Sequence, residues 1–122
     1  MKVSLAAADK DRAVRLAEAL IEAGHEITSS WLCQVFKRTR EHTATERAQI
    51  ALRDCREVRD CDVLVLLDSP QNVPGGKFVE TGLALAYGKR VIVSGRRENM
   101  LLRLPVIQQV PQDGLGLSAL AG

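Results

Sequence analysis

Residues 62–95, "DVLVLLDSPQNVPGGKFVETGLALAYGKRVIVSG", decide the reading of this chain. The run "VLVLL" is apolar without alternation, as expected of a strand covered on both faces. A turn-forming segment containing Pro74, Gly75 and Gly76 follows. Next comes a helical stretch predicted over about 76–87, with Gly88 as its stop, and then the apolar strand "RVIVSG". Strand, loop, helix and strand in that order describe a parallel crossover. Gly82, Ala84 and Ala86 are small enough to let the helix lie close to the sheet.

The segments before this unit repeat the alternation. "KVSLAAA" at 2–8 reads as a buried strand. In "DKDRAVRLAEALIEAGHE", Val14, Ala17, Leu20 and Ile21 recur at helical spacing, with Asp9 or Asp11 as N-cap and Gly24 as terminator. "EITSSWL" at 26–32 reads as a second strand. The polar stretch at 34–42 is predicted to be a loop made basic by Lys37, Arg38 and Arg40. Thr43 and Glu46 then form a capping-box pattern at the head of a helix whose apolar stripe reads Ala48, Ala51, Leu52, Cys55 and Val58, with Asp54 at the stripe's edge. After 95, "VIQQV" offers a short fifth strand. The expected fold is one α/β domain spanning 1–122: a flavodoxin-like or Rossmann-like three-layer sandwich around a parallel sheet of four or five strands.

Composition narrows the function. The chain has 122 residues, 46% of them hydrophobic, which suits one core. A formal charge of +2, with its basic residues dispersed, argues against a nucleic-acid partner. No apolar run reaches the roughly 20 residues of a membrane span, and the N-terminus reads as a strand rather than a signal peptide. Cys33, Cys55 and Cys61 are odd in number and without a CxxC pair, which favours reduced packing thiols in a cytoplasm and no metal site. No cofactor is implied.

In an open parallel sheet, ligands bind beyond the carboxyl ends of the strands. The loop after "VLVLL" is long for its kind and stands at that edge, so Asp68, Ser69, Gly75 and Gly76 are candidate binding residues, as are Ala7 and Ala8 after the first strand. A nucleoside-triphosphate loop would need Gly in place of Gln71 and Ser or Thr in place of Phe78. Glu80 lies near the helix start, where the dipole would keep it ionised. Such a carboxylate suits a nucleophile toward a sugar's anomeric carbon, and equally a simple stabiliser of the helix end. Asp54 is either a second acid for the same cleft or a solvated edge residue. Asp62 looks like the beginning of its strand, away from any site. Trp31, the sole tryptophan, suits core packing or stacking on a base.

Together, "KVSLAAA", "AGHEITSSWL", "CDVLVLLDS", "GGKFVETGLALAYGKRVIVSG" and "RRENMLLRLP" resemble the nucleoside 2-deoxyribosyltransferase-like family, which includes the deoxynucleoside 5′-monophosphate N-glycosidases. The most specific match is Gly-Gly followed by Glu-x-Gly-x-Ala-x-x-x-Gly-Lys, with Asp54-x7-Asp62 upstream. The resemblance implies cleavage or transfer at the N-glycosidic bond of a nucleoside or nucleotide. Glu80 would be the nucleophile that forms a glycosyl-enzyme, and Asp54 would act at the base or orient the nucleophile. Asn99 would reach a neighbouring subunit's site, implying a homodimer or larger homo-oligomer. A helix N-cap is an equally natural role for Asn99.

The transferases carry a further acid, and the monophosphate hydrolases a serine, at the place that falls near Pro74 here. Two other readings remain open. "PGGKFVETG" is also similar to the motif of phosphoribohydrolases that release cytokinin bases, although it lacks their Gly-Thr pair. The same fold could also serve as a nucleotide-binding sensor without chemistry.

Overall fold

The computed structural model describes residues 1–33, 42–68, 76–95 and 100–111. Five strands, β1 (Lys2–Ala7), β2 (Glu26–Ile27), β3 (Val63–Leu67), β4 (Arg90–Ser94) and β5 (Gln108–Val110), form one parallel sheet in the order β2-β1-β3-β4-β5. Among the described residues three α-helices flank it: α1 (Lys10–Glu22), α2 (Ala44–Asp60) and α3 (Gly76–Ala86). This is the flavodoxin-like α/β sandwich expected from the alternation.

The unbroken apolar run of β3 has its reason in two cores. Val63, Val65 and Leu67 pack toward α1 with Val3, Leu5, Ala13, Ala17 and Leu20. Leu64 and Leu66 face the other way, into a core with Ala6, Val58, Ala84, Val91 and Val93. Successive residues point to opposite faces, so a strand covered on both sides needs every position apolar. At its amino end Asp62 accepts the Lys2 backbone N–H at 2.8 Å, far from the carboxyl edge, as its position before the strand implied.

Capping follows the sequence closely. Asp9 accepts the Arg12 N–H at the head of α1, and Gly24 takes φ 94 just past its end. Thr43 and Glu46 form the expected reciprocal capping box on α2. The apolar stripes differ from expectation. On α1, Ala13, Ala17 and Leu20 are buried while Ile21 is 58% exposed. On α2 only Val58 is buried, and Ala48, Ala51 and Leu52 face outward. The inner face of α2 instead carries half-buried Ile50, Arg53, Asp54 and Glu57. Lys77, Thr81 and Ala84 form the buried side of α3, so Gly82 and Ala86 lie outside rather than easing the helix onto the sheet.

The second strand is far shorter than "EITSSWL" suggested. β2 ends at Ile27, and Ser30–Cys33 form a single 3-10 turn. Side chains take the place of the missing ladder. The Ser29 hydroxyl accepts the Leu5 N–H at 2.8 Å, and the Trp31 indole N–H donates to the Leu5 carbonyl at 3.0 Å. The loop predicted at 34–42 lies, except for His42, outside the described residues.

Candidate functional site

Order reversal in the sheet occurs between β1 and β3, and the candidate site gathers at this seam. A cleft of about 320 Å³ is lined by Ala7, Ala8, Trp31, Asp54, Gly76, Lys77 and Glu80. That volume falls at the small end of the range for ligand pockets. A narrow extension behind it is lined by Ser4, Ser29, Trp31, Asp54, Glu57, Val58 and Glu80. Each wall has a local cause. β1 ends in small residues, so Ala7 and Ala8 leave room above the sheet. α2 turns its polar face inward and delivers Asp54, while α3 delivers Glu80 one turn after Lys77.

Glu80 is the fifth residue of α3, and the first turn of that helix holds no acid. Its place in the second turn weakens the help of the helix dipole, which fades beyond the first turn. Burial dominates instead and, together with the charges of Asp54 and Glu57, raises the Glu80 carboxyl to about 7. The expectation of a carboxylate held ionised by the dipole is therefore corrected: burial favours a proton on Glu80 below about pH 7. Asp54 is raised too, chiefly by burial, with Arg53 at 3.3 Å working against the shift.

Beneath the cleft, Lys77 donates to the Asp68 carboxylate at 3.1 Å, with side chains 4% and 1% exposed respectively. Arg12 donates to the Asp68 carbonyl at 3.2 Å and to the Ser94 hydroxyl at 3.1 Å. These contacts bind the ends of β3 and β4 to the first turns of α1 and α3. Gly95, at φ 113, passes so close that a Cβ would stand 2.7 Å from the Asp68 carbonyl oxygen. Asp68, expected to contact substrate, is thus engaged with Lys77 in the interior. Among the described residues, no group of His, Cys, Asp and Glu is arranged to hold a metal ion.

The structure thus brings Glu80, Asp54, Ala7, Ala8 and Gly76 to one cleft. Ser69, Gly75 and Asn99 lie outside the described residues. Reading the sequence did not single out Lys77 or Glu57. Glu57 had a local signal, standing one turn from Asp54 on the same helix. Lys77 had none, because its partner is nine positions away in the sequence.

With this geometry in place, the comparisons with known proteins decide the family. The family model for nucleoside 2-deoxyribosyltransferase matches residues 4–116. The chain belongs to the nucleoside 2-deoxyribosyltransferase family. Membership supports enzymatic chemistry at the N-glycosidic bond of a small nucleoside or nucleotide. Two solved structures share the fold. One is a CMP N-glycosidase from Clostridium botulinum, 22% identical over 91% of this chain and 88% of that one, with a TM-score of 0.67. The other is a 2-deoxyribosyltransferase from Bacillus psychrosaccharolyticus, 18% identical over 84% and 80%, also with a TM-score of 0.67. No curated protein sequence matches the chain. Among the described residues, no helix is long and apolar enough to cross a membrane.

Proposed function

We propose that this protein cleaves or transfers at the N-glycosidic bond of a nucleoside or nucleoside 5′-monophosphate, with Glu80 as the nucleophile. One observation carries the reading: Glu80 and Asp54, from different helices, line one cleft at the carboxyl edge of the sheet. Below about pH 7 a proton resides on Glu80. With substrate bound, that proton passes to Asp54, and a Glu80 oxygen attacks the anomeric carbon. The bond to the base nitrogen breaks with its electron pair going to the base, which takes the proton from Asp54. A glycosyl-enzyme ester remains. Water or a second base then attacks the same carbon, gives its proton to Asp54 and releases Glu80.

Ala7, Ala8 and Gly76 act as close walls for the sugar, and Trp31 as a face for the base. Ser69 and Gly75 belong to the same proposed substrate contacts. Asp68 contributes by fixing Lys77 at the floor. The protein works as a homodimer or larger homo-oligomer in which Asn99 approaches the neighbouring site. Leu52 on α2 and Val79 on α3, 61% and 65% exposed, are the apolar side chains this reading would place between subunits.

The test is incubation of the purified protein, with and without a second free base as acceptor, with cytidine, adenosine, their 2′-deoxy forms and the 5′-monophosphates of all four, followed by chromatography. Free base is expected from at least one compound and none with Glu80→Ala. No base from any of the eight would contradict the proposal.

A further inference from the structure

Glu57 takes no step in this chemistry, yet it fastens the cleft's aromatic wall. It stands one helical turn after Asp54 on α2. Its carboxylate accepts the Ser30 backbone N–H at 2.8 Å and the Ser30 hydroxyl, and Arg53 pairs with it at 3.4 Å. Ser30 begins the 3-10 turn that carries Trp31. The indole is thereby fixed from two directions: its N–H is held by Leu5 of β1, and its backbone is held to α2 through Glu57.

The turn is also held by Trp31 and Leu32 packing against the core and by Ser29 bonding Leu5, but its own backbone pairing is slight among the described residues. β2 pairs with β1 over only two residues and stops at Ile27. Within the turn, the Leu32 N–H reaches the Ser29 carbonyl only at 3.5 Å, a long and weak bond. A carboxylate accepting two hydrogen bonds from one residue is the stronger constraint. The Glu57 side chain is 16% exposed, so water competes little for it. Trp31 lines both the cleft and its rear extension, next to Asp54 and Glu80 in each.

We infer that Glu57 is a positioning residue: by holding Ser30 it seats the Trp31 indole as the surface on which the substrate's base stacks. This rests on the reading of the cleft as an N-glycosidic site. Its effect falls chiefly on substrate affinity, because Glu57 touches the turn and not the reacting atoms, although its charge also adds to burial in raising the Glu80 carboxyl.

The chain contains one tryptophan, so its fluorescence reports this position alone. Acrylamide quenching and steady-state base release are measured on the parent, Glu57→Ala, Glu57→Gln and Ser30→Ala. In Glu57→Ala, quenching is expected to rise about twofold and KM about fivefold to twentyfold, given what stacking on a base is worth. The kcat stays nearly unchanged when each protein is read at its own pH optimum, since loss of the Glu57 charge also lowers the Glu80 carboxyl. Glu57→Gln restores both, since its amide oxygen still accepts from Ser30, and Ser30→Ala falls between. A folded Glu57→Ala with parental quenching, or a loss in kcat at constant KM, overturns the inference. Should circular dichroism show Glu57→Ala unfolded, Ser30→Ala decides by the same two readouts. Absence of base release from the parent defeats the proposed function instead; quenching is read without turnover, which keeps the two failures distinct.

Discussion

Asp54 of α2 and Glu80 of α3 face one cleft, and the charge of Asp54 adds to burial in raising the Glu80 carboxyl to about 7. Two acids in a half-buried site share protons more readily than they ionise together. In the proposed reaction this pairing would give a nucleophile and an acid from identical chemistry, separated by environment.

The pH profile of base release should reflect the pair. The competent state carries one proton, so activity is expected to be high below pH 7 and to fall about tenfold per unit above it. Asp54→Asn removes the charge that helps raise Glu80 and moves the Glu80 ionisation to lower pH. It also removes the proton's destination, so the falling limb near 7 disappears along with most of the activity. A parental rate that climbs through pH 7 would show that Asp54 only orients the nucleophile.

Stability should depend on Glu80 in a definite direction. Its carboxyl titrates near 4.5 when unperturbed and near 7 in the fold. Between those values the folded chain keeps a proton that the unfolded chain has lost, so stability declines as pH rises through that window. The decline should be roughly 1–3 kcal/mol after allowance for partial solvent access. Urea denaturation at pH 4.5 and 8 should show it in the parent, while Glu80→Gln should be flatter by that amount. An equal decline in both proteins would locate the effect elsewhere.

The buried pair beneath the cleft makes a separate prediction. Lys77→Met leaves the Asp68 carboxylate without its ammonium partner and should cost about 3–5 kcal/mol by denaturant unfolding. Lys77→Met combined with Asp68→Asn should recover part of that loss, because the buried carboxylate that lost the Lys77 ammonium is gone. Additive losses would mean that the two side chains act independently.

Assembly is tested on the outward face of α2. Leu52→Asp should shift the protein toward monomer in multi-angle light scattering, with base release per chain reduced if Asn99 serves the neighbouring site. A parent that is monomeric at tens of micromolar would remove that part of the proposal.

Periodicity made β1, β3, β4 and all three helices legible, because burial on two faces forces a recognisable apolar run. Gly24 and the Thr43–Glu46 box marked helix ends through local chemistry. The faces of α2 were not legible from the same rule. Asp54 and Glu57 point inward to a polar recess and Leu52 points outward, which reverses the usual stripe. β2 misled for a related reason: Ser29 and Trp31 satisfy β1 through side chains, which β-propensity does not register. Glu80 and Asp54 could be nominated from their motif spacing. Their common cleft depends on how α2 and α3 pack, and the raised Glu80 carboxyl on the burial that results.

The central claim, that Glu80 bonds covalently to the sugar, is tested most directly by intact-protein mass spectrometry. The protein is quenched with acid during turnover of whichever nucleoside or nucleotide releases base, then digested and mapped. A mass increase equal to the glycosyl group is expected on the peptide containing Glu80 and absent in Glu80→Gln. Base release at the parental rate by Glu80→Gln, or an adduct mapped to another residue, would contradict it.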